Sequence, residues 1–503
     1  MRLPLLAMLL GITGCLSNAP PPIPLKPVRF LLINDVYTAD TTDDGRGGLA
    51  RVATVRQRLD DQGPVVFVLA GDVLSPSLAG KYFHGRAMIE ALNEAQLDYA
   101  TFGNHEFDIE IDTLVARIAE SEFTWLSSNC TRANGTPFPK VLSWDTVRVS
   151  GHKVGLFGLT LQGAHRRGVR CTNPDTAAHR AIETLTSEGA DLIVALTHQT
   201  MEADRNLLGR EAKLDLVLGG HEGKAQDSVV SGRHAVKADA NARSVQFVTL
   251  WGGKGSWRQA VGIVPIDAGL PSDTAVARVV ARWNDSLQQR LGPSRVVGTT
   301  QVRLEPSDST SRRGESVLGD LVTDAMRGGT GADVALLNAG TLRLDRPIPP
   351  GPVTSHQLEA MFPFADQTRV VTVPLTGEGV RQLLERAVSE KVFGTGGFLQ
   401  VSGLAYSFNR TRPSGSRLVG TIRREDGRPL APGDTISVAL NSYTACEGGD
   451  GYSVPGAAPS CGRIRSAPRA VDLLIRYISD SLGGKIGLPK ASRIQETKST
   501  NPG

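Results

Sequence analysis

The 503-residue sequence predicts an α/β protein of two domains, and three observations carry that expectation. Its composition, 40% hydrophobic and 21% charged, is that of a globular chain long enough for more than one core. From Val28 to about Pro265, short apolar or β-branched runs alternate with helical stretches, each run halted by small polar residues. A helix-like segment from Asp273 to Leu291, without strand character, then separates this pattern from a second α/β pattern beginning at Arg295.

In the first half the strand candidates are Phe30–Ile33, Val65–Leu69, Tyr99–Phe102, Val154–Leu159, Leu192–Leu196 and Leu214–Leu218. They are nearly continuous rather than alternating, as expected of a sheet covered on both faces. Their ends carry the chemistry. The first runs into Asn34-Asp35, the second into Gly71-Asp72, and the third into Gly103-Asn104-His105-Glu106. The last two lead to His198 and to Gly219-Gly220-His221-Glu222. Open α/β sheets bind ligands at the carboxyl ends of their strands, so five donors converge on one sheet edge. In the second half, helices are expected over Val317–Met326 and Gly377–Val388 and a strand over Val334–Leu337, with glycine-rich turns at Gly396-Gly397 and 448–451. The polar residues after Pro489 are expected to be disordered.

The N-terminus differs from everything after it. Arg2 precedes an apolar run, Leu3 to Ile12, too short to span a bilayer. It ends in Ile12-Thr13-Gly14-Cys15, which resembles a bacterial lipobox whose cysteine is lipidated, so residues 1–15 are expected to be a signal peptide and 16–27 a proline-rich tether. This implies an exported envelope lipoprotein held at a membrane by its lipid, in an outer membrane or at a periplasm-facing surface. The four remaining cysteines allow three pairings. Cys130–Cys171 with Cys446–Cys461 is the pairing that keeps each bridge inside one domain. A net charge of +4 gives no bulk electrostatic reason to expect nucleic acid as a partner.

Hydrolysing a phosphate ester at neutral pH needs a nucleophile stronger than water and neutralisation of charge on the phosphoryl oxygens, and divalent metals supply both. Carboxylate, amide oxygen and imidazole hold such ions without redox chemistry, and Asp35, Asp72, Asn104, His198 and His221 form that set. Taken singly, the aspartates read equally well as helix caps and the histidines as core residues. Five at successive strand ends do not.

These blocks, in this order, resemble those of the calcineurin-like metallophosphatases. The resemblance implies a layered β-sandwich flanked by helices over residues 28–268, followed by a linker helix over 269–294. It further implies that Asp72 bridges two metals, that Asn104, His198 and His221 complete one of them, and that Asp35 serves the other. His105 would stand near the phosphate as acid or charge stabiliser, oriented by Asp108. Two departures concern the Asp35 metal. The family pattern Asp-x-His reads Asp35-Val36-Tyr37, and Gly-His-x-His reads Gly220-His221-Glu222-Gly223. Tyr37 or Glu222 are the available substitutes, so one firm and one weak divalent site are expected. Manganese, magnesium, calcium and zinc are the candidate ions, with the oxygen-rich weak position favouring the harder three.

The second half resembles the smaller α/β C-terminal domain of 5′-nucleotidases, expected over 295–490 with a disordered tail over 491–503. Four blocks carry the likeness: 314–321, Asn338-Ala339-Gly340-Thr341-Leu342-Arg343, 397–403, and Asn441-Ser442-Tyr443 through Gly448-Gly449-Asp450-Gly451. Chemically, a guanidinium grips phosphate, two aromatics sandwich a base, and a carboxylate accepts from ribose hydroxyls. By resemblance these are Arg343, the pair Phe398 and Tyr443, and Asp450, with Gln400 reading the base edge and Arg346 and Arg386 as further phosphate contacts. The resemblance also implies that domain rotation carries substrate to the metals. The implied activity is a metal-dependent 5′-nucleotidase releasing nucleoside and phosphate outside the cytoplasm. UDP-sugar or 2′,3′-cyclic-nucleotide hydrolysis, or non-catalytic surface nucleotide binding, are the alternatives.

Overall fold

The computed structural model describes residues 26–162, 168–305, 308–343, 347–364, 368–488 and 492–497. The signal peptide, Cys15, most of the tether and Arg346 lie outside them. In the first half the strands form two stacked sheets, the layered sandwich that the resemblance implies, rather than the single sheet that the pattern of runs alone suggests. A seven-stranded sheet runs in the order Ser256–Pro265, Ser244–Gly253, Val28–Ile33, Val66–Ala70, Tyr99–Thr101, Thr124–Leu126, Val141–Leu142. A six-stranded sheet runs Gln226–Val230, Arg233–Lys237, Leu216–Gly220, Leu192–His198, His152–Thr160, Trp144–Val149.

Alternate side chains explain why the runs read as continuously apolar. Val28, Phe30, Leu32, Val66 and Val68 meet Leu192, Val194, Leu196, Leu216 and Leu218 of the other sheet in the inner core. Their neighbours Leu31, Ile33, Phe67 and Leu69 face outward onto the helices Leu49–Asp60, Arg86–Glu94 and Ile111–Glu120. On the far side Ile193, Ala195 and Val217 pack on Pro174–Ser187 and Met201–Arg210. Both faces of the central strands are therefore buried, one by a sheet and one by helices, and each buried aliphatic side chain contributes about 1.5–3 kcal/mol. Helix Thr274–Leu291 starts where the Asp273 side chain accepts from the amides of Ala275 and Val276, both at 2.9 Å. Its Val276 and Val280 are buried in the outer core of the first sheet, so it is a packed element of that half.

The second half is organised on a four-stranded sheet ordered Val370–Thr376, Thr435–Asn441, Val334–Asn338, Leu399–Ser402. Helix Val317–Thr330, capped by Ser316, runs one turn beyond its expected end, to a left-handed Gly331. Disulfides join Cys130 to Cys171 and Cys446 to Cys461, and the first pair are opposite one another on adjacent antiparallel strands. The halves also touch directly. The buried ammonium of Lys81 donates to the Glu359 carboxylate at 2.7 Å and to the Phe362 carbonyl at 2.9 Å, while Tyr82 and Arg469 donate to the same carboxylate.

The polar C-terminal stretch is not wholly disordered as expected: Ile494–Glu496 forms a strand parallel to Leu404–Phe408. Two things hold it. Ile494 is buried in the sheet core, and the Glu315 carboxylate accepts from Ser492 Oγ and from the amides of Arg493 and Ile494. Beside it the buried Asp320 carboxyl is pushed up to about 8 by burial, with Glu315 and Asp324 adding to the rise against the pull of Arg493. A carboxyl whose pKa is higher folded than unfolded favours the fold while protonated. Its contribution is full below pH ~4 and lost as pH climbs through about 8. Asp320→Asn is therefore expected to flatten the decline of melting temperature between pH 6 and pH 9. Parallel melting profiles for the two proteins would contradict this.

Candidate active site

The five predicted donors meet, but at the shared end of two sheets. Asp35, Asp72 and Asn104 follow strands of the first sheet, and His198 and His221 end strands of the second. Asp35, Asp72 and His221 each take positive φ (54°, 61° and 98°). This is uncommon for non-glycine residues and turns each side chain away from its strand direction. One donor atom each from Asp35, Asp72 and His198 lie within 4.8 Å of one another. His221 stands beside them, its ring centroid 5.2 Å from that of His198, and its amide donates to Asp35 Oδ2 at 2.9 Å. The loops can close this tightly because Gly103 has no side chain: a Cβ there would lie 2.1 Å from Asp72 Oδ1.

Three of the donors, His198, Asp72 and Asp35, are aimed by a second contact. His198 Nδ1 sits 2.8 Å from the Ala70 carbonyl, leaving Nε2 3.1 Å from Asp72 Oδ2. A backbone acceptor of this kind fixes a ligating imidazole's tautomer and orientation. The His105 amide donates to Asp72 Oδ1 at 2.8 Å, and its ring Nδ1 lies 2.6 Å from Asp108. Asn34 donates to Asp35 Oδ2 at 2.7 Å. Sequence reasoning quoted Glu106 but gave it no role. Fully buried, it accepts from the amides of Asp72, Val73, Leu74 and Gly103, and so clamps the two metal-bearing loops together. Its signal was a carboxylate two residues past Asn104 in a stretch with no basic partner.

The electrostatics suit a cation. Burial raises the Asp35 carboxyl. Burial also opposes charge on Asp72, but His198 and His105 override it and hold that carboxyl below the ordinary range. Against burial, Asp72 holds the His198 imidazole up at about 10. Burial and the neighbouring His198 charge push His221 down to about 4, so it is neutral at neutral pH, with the lone pair of one ring nitrogen available to a cation. The fit to a metal ion rests on Asn104 as well: its Oδ1 is buried without a hydrogen-bond partner, an arrangement that normally costs about 1–3 kcal/mol. An amide oxygen, two carboxylates and two imidazoles form a donor set for a divalent ion.

The two substitute ligands separate. The Tyr37 hydroxyl lies 3.2 Å from both Asp35 Oδ1 and Asp72 Oδ2. Glu222 is turned away: one oxygen accepts from the Met201 amide, and the other pairs with the buried Lys237, which also binds Asp204 and the carbonyls of Gln199 and Gly220. That ion pair removes Glu222 from the ligand set.

Facing the metal cluster across a cleft of about 290 Å³ are residues of the second half: Arg312, Asn338, Arg343, Tyr443 and Asp450 among them. Arg343 is steadied by the Gly340 carbonyl at 3.1 Å and lies over the Phe364 ring at 5.8 Å. Asp450 receives Asn338 Nδ2 at 3.2 Å and Tyr443 Oη at 3.4 Å. Asn338 in turn accepts from Thr341 and Asn441. Gly449 makes room for Tyr443, since a Cβ there would lie 2.3 Å from its ring. Arg312 went unassigned in the sequence, although the Arg312-Arg313 pair immediately precedes the block at 314–321.

Three expectations for this half are corrected. Phe398 is fully buried, edge-on to Phe393 at 5.8 Å and tilted against Phe408, so its faces belong to the core and only Tyr443 of the expected pair lines the cleft. Gln400 is equally buried, bonded to the Ser316 amide and to the carbonyls of Ser311 and Gly314, so it anchors the chain before helix Val317–Thr330 and reads no ligand. Arg386 donates twice to the Asp450 carbonyl, at 3.0 and 2.6 Å, and shapes the 448–451 turn rather than reaching toward a phosphate.

Residues 28–225 match the family described as calcineurin-like phosphoesterase, and residues 296–456 match the 5′-nucleotidase C-terminal domain. Endonuclease YhcR of Bacillus subtilis is 23% identical over 93% of this chain, which spans only 42% of that relative's length. Snake venom 5′-nucleotidase of Naja atra is 26% identical, covering 82% of this chain and 86% of its own. Among solved structures, the 5′-nucleotidase precursor of Thermus thermophilus superposes with a TM-score of 0.80 at 24% identity, over 94% of this chain and all of that one.

Proposed function

We propose, from the premise that this chain belongs to the calcineurin-like phosphoesterases that carry a 5′-nucleotidase C-terminal domain, that it hydrolyses nucleoside monophosphates to nucleoside and phosphate. The observation that carries this reading is the single cleft in which Asp72, Asn104, His105 and His221 face Arg343, Tyr443 and Asp450. One end suits a divalent ion and a phosphoryl group, the other a nucleoside.

Asp72, Asn104, His198 and His221, with Asp35 beside them, would hold a divalent ion, which would supply an acidified water and neutralise charge on phosphoryl oxygens. The other roles fall to side chains. Arg343 grips the phosphate, its guanidinium offering paired donors in a fixed plane. His105, oriented by Asp108, holds a proton at the ring nitrogen away from that carboxylate, where it can neutralise charge on the phosphate or the leaving oxygen. Asp450 accepts from the ribose hydroxyls and Tyr443 offers a face to the base. The site works outside the cytoplasm, on a protein anchored by lipid at Cys15. The two disulfides support an oxidising compartment, and among the described residues no helix is long and apolar enough to cross a membrane.

The test is phosphate release from AMP, UDP-glucose and 2′,3′-cyclic AMP by metal-stripped protein resupplied with manganese, magnesium, calcium or zinc. Release fastest from AMP is the expected result. Preference for either other substrate would reassign the leaving group, and nucleotide binding without release under every ion would make this a surface binding protein.

A further inference from the structure

Resting on the metal reading just given, we infer that the Tyr37 hydroxyl occupies the seat a second cation would take, so that this chain holds one divalent ion rather than two. Asp35 Oδ1 faces the Tyr37 hydroxyl, while Oδ2 accepts from Asn34 Nδ2 and the His221 amide. Asp72 Oδ1 accepts from the His105 amide, and its Oδ2 is shared by the Tyr37 hydroxyl and His198 Nε2. The phenol is thus wedged between the two carboxylates at 3.2 Å from each. That is the position from which an ion shared by Asp35 and Asp72 would draw its ligands. An O–H donor there neutralises part of the facing negative charge without adding a coordination sphere, and a neutral phenol offers a metal far less than imidazole does.

Among the described residues, neither of the positions that follow His221 supplies the missing ligand. Glu222 is bound to Lys237 and the Met201 amide, and Gly223 has no side chain to give. The remaining donors serve a single ion, with one donor atom each from Asp35, Asp72 and His198 mutually within 4.8 Å, and the orphaned Asn104 Oδ1 and the His221 ring beside them. Tyr37 is therefore a positioning residue. Its hydroxyl contacts both carboxylates, and its ring stands T-shaped to that of His105, centroids 6.2 Å apart.

The test counts ions. Wild-type chain stripped with chelator and titrated with Mn²⁺ should bind one ion, giving the resonance spectrum of an isolated centre. Tyr37→His supplies an imidazole between the carboxylates and should bind two, with a spin-coupled spectrum, while Tyr37→Phe should stay at one. Two tightly bound ions in wild type overturn the inference but leave the hydrolase reading intact if AMP is still cleaved. Tyr37→His that melts like wild type yet binds one ion also overturns it. Wild type that binds none removes the inference and the metal reading together. Should Tyr37→His fail to fold, the wild-type count alone decides.

Discussion

Asp72→Asn is expected to reduce phosphate release from AMP by on the order of 10³-fold, the upper range for removing one preorganised electrostatic group, while the protein stays folded. Asp72 is where every arm of the site meets: the His105 amide, His198 Nε2 and the Tyr37 hydroxyl all reach its carboxylate. The amide keeps the shape but loses the charge that draws a cation and that faces His198 Nε2 at 3.1 Å. A second readout separates ion binding from turnover. Any ligand specific to the folded state stabilises it by about 2.7 kcal/mol at a hundred times its dissociation constant. Manganese should therefore raise the melting temperature of wild type and leave that of Asp72→Asn unmoved. Near-normal hydrolysis by the variant would refute the role given to this carboxylate.

Lys237→Met should destabilise the first half by about 3–5 kcal/mol, because it leaves the buried Asp204, and Glu222 beside it, without their shared counter-ion. Lys237 and Asp204 are both wholly inaccessible, 3.1 Å apart. Urea unfolding monitored on the first half measures this, and Lys237→Met with Asp204→Leu should recover most of the loss, since an apolar pair replaces an ionic one at little penalty. A change below about 1 kcal/mol in the single variant, within the range of exposed ion pairs, would show that water reaches the pair. The ammonium also binds the carbonyls of Gln199 and Gly220, the chain neighbours of His198 and His221. Weaker ion binding should accompany the lost stability.

The metal half of the site was legible because its information is local. Each donor sits directly after an apolar run, and a run's end can be located from sequence alone. That the runs belong to two sheets followed from the resemblance and not from the runs themselves, because a strand buried by a second sheet and one buried by helices on both faces have the same apolar composition. The opposite half shows the limit more sharply. Phe398, Gln400 and Glu222 stand in the right blocks, but where their side chains go was settled by partners far along the chain: Phe408 and Phe393 for the ring, the carbonyls of Ser311 and Gly314 for the amide, Lys237 for the carboxylate. In Leu399–Ser402 all four residues are buried, so strand alternation could not tell a pocket face from a core face. The strand at Ile494–Glu496 was missed for a related reason: its amides are satisfied by Glu315, a partner some 180 residues away.

Lys81 reaches from one half of the molecule into a dry seat on the other, holding the Glu359 carboxylate and the Phe362 carbonyl at once. If substrate is delivered by swivelling one half against the other, the swivel must first wet that seat, because drawing a bare ammonium from two oxygens into apolar surroundings is far costlier than letting solvent follow it. The tempo of turnover would then belong to a latch placed away from the phosphate. Changes at Lys81 would alter how often the cleft opens without touching any group inside it.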